Sequence, residues 1–317
     1  MPTSTKRARL VGGLCALVVV MIWTSFILIA RVSAVHSLLP FDIAFLRFAF
    51  SALVALPLLV RFGPEMRAQL AQGGGSPWAR GAALTALGAV GYCCLAYSGF
   101  FFAPVAHASV LLPGSLPLWT ALIAFFWLHE RVSPQRALGL ALIIAGGALV
   151  GGASLLLAFA GGNVWQGDLL FMAASVCWSM YTVLCRRWRL GAMPATLVLA
   201  LGSGLSFVPL YGLGAWAGFI PSKLAQAPWA EIAFQAVYQG GVSMWLAGLA
   251  FTQVIVTFGP TRTTLLTSVV PALAALLAVP LLGEALQGYA LIGLACVTLG
   301  VVLGLHAPAA PLKARPA

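Results

Sequence analysis

Three ionisable side chains, Arg47, His107 and Arg262, fall inside long apolar stretches of this 317-residue chain. A charge in such a stretch is costly and normally faces a polar interior, so each is a candidate for substrate binding or coupling. Arg262 can hold a substrate carboxylate or snorkel to lipid phosphate, and the two readings stand equal. Arg47, in "LRFAF", either serves a site or snorkels and bonds backbone carbonyls. An unperturbed histidine side chain changes charge near neutral pH, which makes His107 a candidate for proton coupling, although a neutral, hydrogen-bonded histidine fits the same position. Trp23, Tyr92, Tyr97, Trp119, Trp178 and Trp245 lie in the same apolar runs, with Gln253 and Ser109 as polar points. Such rings line apolar cavities, or they pack and anchor at interfaces.

The elements that must carry these residues follow from composition. The chain is 62% hydrophobic and 7% charged, with a mean hydropathy of +1.02. A soluble globule has about 25% charged residues; this chain has no such polar surface to offer water. Its apolar runs approach 20 residues, enough to cross about 30 Å of hydrocarbon as helices. They are continuous rather than alternating, which favours helices over barrel strands. The reading is an all-α polytopic membrane protein with spans near 10–30, 41–61, 81–102, 105–128, 134–153, 168–185, 194–216, 231–251, 259–282 and 287–306. Cys15, Cys93, Cys94, Cys177, Cys185 and Cys296 fall in or beside these runs without metal-ligand spacing, so they read as small apolar side chains. No metal, cofactor or catalytic cluster is expected. The Walker pattern G-x-x-x-x-G-K-[ST] is absent, so the chain carries no ATP site of that kind.

The net charge of +11 has an orientation to report. With both termini inside, Lys6, Arg7, Arg9, Arg61, Arg67, Arg80, Arg131, Arg136, Arg186, Arg187, Arg189, Lys313 and Arg315 are all cytoplasmic, and Arg31 and Lys223 are outside. This satisfies the positive-inside rule, and nucleic-acid binding is not needed to explain the basic excess. Asp42, Asp168 and Glu231 open spans, while Glu130 and Glu284 immediately precede them. A carboxylate there meets unpaired amides and the positive end of a helix dipole.

Glu130 and Glu284 also belong to a repeat. Displacing the chain by 154 residues superposes Pro117 on Pro271, Glu130 on Glu284, Gly139 on Gly293 and Gly146 on Gly300. At a shift of 155, Trp23 meets Trp178 and Arg31 meets Arg186. Five spans per copy is an odd number, so the second copy enters the membrane upside down, an arrangement used by alternating-access transporters. Glu130 and Glu284 read as anchors of a helix-start corner, with gating carboxylates at opposite faces as the alternative. Pro117 and Pro271 each remove a backbone donor in mid-span and are hinge candidates, or simply accommodated kinks. Gly147 with Gly151, and Gly300 with Gly304, have GxxxG spacing for close helix contact, within the chain or across a homodimer.

The stretches "HASVLLPGSLPLWTALIAFFWLHERVSPQRALGLALIIAGGALV" and "TRTTLLTSVVPALAALLAVPLLGEALQGYALIGLACVTLGVVL" resemble the two signature blocks of EamA domains. In that pattern a proline lies 13 residues before the Glu and a Gly-rich span follows. His129 departs from the pattern, which usually has Gly before Glu, as at Gly283. The resemblance covers about residues 10–306 and implies the drug/metabolite transporter superfamily. Its implied layout is ten transmembrane helices as two inverted five-helix EamA repeats. The divisions are a cytoplasmic tail at 1–9, a first repeat at 10–153, an external connection at 154–167, a second repeat at 168–306 and a cytoplasmic tail at 307–317. The function implied is that of a bacterial inner-membrane secondary transporter that exports a small metabolite, such as an amino acid or derivative, by alternating access. Its partners would be the solute and the lipid bilayer, with transport driven by a coupling proton or by substrate exchange. An importer of a vitamin or nucleotide-like solute has the same sequence signature. A membrane enzyme would need a clustered His/Asp/Glu set, which the chain lacks, and a passive channel would show neither saturation nor counterflow.

Overall fold

The computed structural model describes residues 2–34, 38–72, 75–128, 132–258, 263 and 266–305. Ten helical elements follow one another: α1 (Pro2–Ala34), α2 (Pro40–Ala71), α3 (Pro77–Phe102), α4 (Val105–Trp127), α5 (Pro134–Ala158), α6 (Val164–Arg187), α7 (Ala192–Trp216), α8 (Trp229–Phe258), α9 (Val270–Leu282) and α10 (Gly288–Leu305). Nine described helices are long and apolar enough to cross a membrane, and α9 is a shorter apolar helix. The expected ninth span begins within residues 259–262 and 264–265, which lie outside the described residues. The chain is a multi-pass membrane protein.

Local chemistry sets several helix starts. Proline opens α2, α3 and α5, where a missing amide costs nothing because no intrahelical acceptor awaits it. Ser76 and Ser133 cap α3 and α5 by accepting from the amides of Ala79 and Arg136. Gly283 ends α9 at φ 65°, a left-handed conformation that a side chain would strain.

Packing joins the two halves of the sequence throughout. Helix α2 packs on α7, α5 on α10, and α4 on α9. The contact of α3 with α6 is matched by α8 with α1, and that of α4 with α6 by α9 with α1. Each pairing therefore recurs when every helix is replaced by the one five places along. The α5–α10 seam shows why it can be so close. A Cβ at Gly139 would lie 2.5 Å from the Gly300 carbonyl oxygen, and one at Gly146 would lie 2.5 Å from that of Gly293. The pairing of 139 with 300 and 146 with 293 makes the two helices antiparallel. The seam is intramolecular and runs through glycines seven apart; Gly151, of the expected GxxxG pair, borders open space. Leu53, Leu156, Leu205, Leu210, Val256 and Leu299 point outward as an apolar surface suited to lipid.

A candidate substrate site around Arg47

Arg47 lies on α2, is 9% exposed, and faces α1, α3 and α8. It neither snorkels nor bonds backbone carbonyls. Its Nη1 donates to Tyr97 Oη and Gln239 Oε1 at 3.4 Å and to Ser243 Oγ at 3.3 Å. These are beyond the ordinary N–H···O range of 2.7–3.2 Å. Its Nε is buried with no partner. The guanidinium carbon stands 5.7 Å from the centre of the Phe26 ring. No carboxylate among the described residues pairs with it. An arginine at a helix centre in lipid costs on the order of 2.5–3.5 kcal/mol on insertion scales, and the contacts seen here compensate that poorly.

The polar neighbours form a line across the interior. Tyr97 Oη donates to Gln239 Oε1 at 2.9 Å, Gln239 Nε2 donates to Gln235 Oε1 at 3.3 Å, and Gln235 Nε2 donates to Ser33 Oγ at 2.6 Å. The backbone is unusual here. Residues Ala86–Gly91 of α3 and Ala236–Leu246 of α8 are π-helical, a rare geometry concentrated at functional sites. The two segments occupy corresponding positions at the 154-residue displacement. In α8 the wider turn contains Gln239 and Ser243, and Gly240 permits close approach: a Cβ there would lie 2.7 Å from the Arg47 carbonyl oxygen.

The aromatic candidates divide. Trp23 meets Phe251 at 5.0 Å between ring centres, and Tyr92 meets Trp178 at 4.8 Å, across the equivalent α1–α8 and α3–α6 contacts. Trp245 is buried and donates from Nε1 to Ser51 O at 3.2 Å, a packing bond. Trp119 Nε1 and Ser109 Oγ are buried without partners. Gln253 is exposed on α8 and donates to Thr257 Oγ1, away from the Arg47 group.

His107 belongs to a second cluster. Its Nδ1 lies 2.9 Å from Asp168 Oδ1, and its Nε2 lies 3.4 Å from Tyr289 Oη. Ser154 donates a short hydrogen bond to Asp168 Oδ2. Four helices, α4, α5, α6 and α10, meet there. Sequence placed Asp168 at a helix start, but α6 begins at Val164, so the carboxylate lies a turn inside and faces His107. Gly167 makes room, since a Cβ there would meet that of Ala103 at 2.5 Å. Asp42 remains in the first turn of α2, accepting from Leu39 N, Lys223 N and Tyr211 Oη.

Glu284 anchors a helix, but not the one that follows it. Its Oε2 accepts from Val105 N, the opening amide of α4, at 2.7 Å, and its Oε1 accepts from Arg31 Nε at 2.6 Å. Arg31 also donates from Nη1 to the Phe100 carbonyl at the end of α3. One carboxylate thus ties the end of α9 to α1 and to the α3–α4 corner. Pro117 and Pro271 each stand in the first turn of a helical segment, after turns at 112–115 and 268–269. Helix α4 is interrupted, and α9 begins after a turn, at matching places just ahead of each proline, whose missing amide removes one bond from the helical ladder. Glu130 and Arg262 lie outside the described residues. Among the described residues no three His, Cys, Asp or Glu side chains gather as a metal ion would require.

Sequence reasoning missed Gln235, Gln239 and Ser243, although polar residues at four-residue intervals in an apolar span are a legible stripe. It also missed Ser154 and Tyr289, which carry no signal until α5 and α10 are brought to α6 and α4.

Comparison with known proteins bears on this architecture. A family model described as the EamA-like transporter family matches residues 10–152 and 165–305. An "Uncharacterized transporter YyaM" of Bacillus subtilis (strain 168) is 26% identical over 263 residues, covering 81% of each protein. A protein of known crystal structure, 24% identical, shares the fold at a TM-score of 0.57 over 92% of this chain and 95% of its own.

Proposed function

From the chain's membership of the EamA-like transporter family, shown by a match to both halves, we propose that this transporter is a secondary carrier working by alternating access. It sits in a bacterial-type inner membrane with both termini cytoplasmic and exports a small metabolite such as an amino acid or derivative. It is a carrier and not an enzyme. The observation that carries this reading is the helix pairing: the contacts of α3 with α6 and of α4 with α6 recur as those of α8 with α1 and of α9 with α1, and the corresponding helices α5 and α10 cross antiparallel. Two copies of five spans inserted in opposite directions support rocking about a central site.

The Arg47 group lies between helices of both copies, where such a site belongs. The His107–Asp168 contact is the proposed route for proton coupling, because an imidazole beside a buried carboxylate can hold or release one proton without a large rearrangement. The Arg31–Glu284 contact then holds one face closed and must part when that face opens.

Metabolites inside and outside overproducing cells are compared with those of cells carrying an empty vector, and the solute that changes is tested in proteoliposomes. Export predicts a solute that rises outside and falls inside, with saturable counterflow. Accumulation inside that depends on external supply would indicate import. Flux without counterflow would indicate a pore.

A further inference from the structure

We propose that Arg47 receives the anionic group of the solute, and that the solute is a monoanion, a carboxylate on an apolar or aromatic body, in preference to a zwitterion or a cation. The proposal rests on the carrier reading only for the statement that the bound molecule is transported.

A guanidinium remains protonated inside proteins, so the positive charge at Arg47 is permanent. Among the described residues, Arg31 has Glu284 beside it, and the Asp168 carboxylate is engaged by His107 and Ser154. Asp42 is committed to Leu39 N, Lys223 N and Tyr211, and Glu65 to Gln69. Arg47 has three neutral acceptors at 3.3–3.4 Å, all reached from a single nitrogen, and a buried Nε with none. Two of those acceptors, Tyr97 and Gln239, are already bonded to each other. The fork of donors is therefore largely unspent, in the geometry that a carboxylate fills with two parallel bonds.

The same surroundings select against a second charge on the solute. An ammonium group beside the bound carboxylate would face Arg47 with only neutral oxygens to accept from it. In a medium of low dielectric that repulsion is felt strongly. The body of the solute meets rings instead: Phe26 stands over the guanidinium, and Tyr97 and half-buried Tyr92 flank it on α3. The site thus offers one cation, hydroxyl and amide groups, and aromatic walls. That is the complement of an organic monocarboxylate, including an amino-acid derivative whose amine has been neutralised.

The test uses the purified full chain in detergent and two probe sets, each sharing one body: phenylacetate, phenylacetamide, phenylalanine and phenethylamine, then 4-methylpentanoate, its amide and leucine. Thermal stabilisation is measured against probe concentration for the wild type, Arg47→Gln, Arg47→Lys and Ser243→Ala. The carboxylates are expected to bind roughly tenfold or more tighter than their amides and amino acids, equivalent to about 1.4 kcal/mol per tenfold. Arg47→Gln should abolish that preference and Arg47→Lys should keep part of it. Equal binding of carboxylate and amide, survival of the preference in Arg47→Gln, or no carboxylate of either set binding the wild type would overturn the proposal. Should Arg47→Gln fail to fold, the matched probes on the wild type and Ser243→Ala decide the matter alone. Counterflow of the same probes in proteoliposomes separates the two readings. Carboxylate-selective binding without counterflow sustains the anion site and sinks the carrier, whereas counterflow of a cationic metabolite sustains the carrier and sinks the anion site.

Discussion

His107 and Asp168 show what a single buried contact can and cannot reveal in sequence. A lone histidine inside an apolar span was visible as a candidate, because burial of a titratable ring calls for a partner. Its partner was hidden, because an aspartate near a predicted helix start has a sufficient explanation in the unpaired amides there. Only the earlier start of α6, at Val164, turns Asp168 into the interior. If this pair carries the coupling proton, His107→Gln and Asp168→Asn should each retain solute counterflow while losing most of the accumulation driven by an imposed pH gradient. Measuring both in the same proteoliposomes separates coupling from folding. Variants that accumulate solute as the wild type does would remove the pair from the coupling route. Loss of folded protein, with normal transport per remaining molecule, would make its role structural. Arg47 was likewise legible as an intramembrane charge, but its burial against Tyr97, Gln239 and Ser243 depends on a π-helical turn that a regular 3.6-residue period does not anticipate.

The helices themselves were largely legible, since each needs only a long apolar run bounded by proline, serine or a charge. What periodicity could not supply was which face of a glycine-rich helix is used. The pairs at four-residue spacing suggested a seam through Gly147 and Gly151 and through Gly300 and Gly304; a Cβ at Gly151 would meet nothing within 4 Å, whereas one at Gly139 would meet the backbone of Gly300 and Gly304, and one at Gly146 that of Gly293. The 154-residue displacement had already marked these two, through Gly293 and Gly300, and the structure shows why: each glycine faces the counterpart of the other. Backbones this close gain dispersion and weak Cα–H···O contacts that a side chain would remove. Gly139→Val and Gly300→Val should therefore each lower stability by about 1–3 kcal/mol, the usual cost of overpacking. Gly151→Ala should be nearly neutral. Melting curves of the detergent-solubilised variants check this, and equal loss at Gly139 and Gly151 would refute the assignment of the seam. Helices α4 and α9 were expected as single spans with a proline in the middle. The structure has turns at 112–115 and 268–269, just ahead of these prolines, whose missing amides each remove one bond from the helical ladder. Pro117→Ala restores one amide and should stiffen α4, slowing transport without lowering the amount of folded protein.

At the scale of the molecule, the two ends of the bundle differ in chemistry. One end gathers the carboxylates: Glu284 with Arg31, Asp168 with His107, and Asp42 with Tyr211. The other gathers arginines. Arg80 donates to Leu70 O and stacks on Trp188 at 5.2 Å, beside a cleft of about 400 Å³ that Arg187 and Arg189 also line. Charge counting along the sequence anticipated the basic end, because loops keep their charges wherever they pack. It did not anticipate that the acidic end is cross-linked, because Arg31 and Glu284 are 253 residues apart and meet only when α1 packs on α9. Under the proposed alternating access, a contact that joins both copies at one face opposes the opening of that face; Arg186, the repeat counterpart of Arg31, lies in the last turn of α6 at the opposite end, and Glu130, the counterpart of Glu284, lies outside the described residues. Under alternating access, Glu284→Gln weakens the Arg31 contact and raises the population open at the acidic end. With both termini cytoplasmic, as proposed above, labelling of Ser243→Cys by an impermeant thiol reagent, in a background lacking the six native cysteines, measures that population from outside the cell. Glu284→Gln should increase the labelling rate severalfold, and saturating solute should reduce the increase if the closed, occupied state is the one being restored. Unchanged labelling, with intact folding, would mean that Arg31 and Glu284 brace the α3–α4 corner and take no part in the opening of that face.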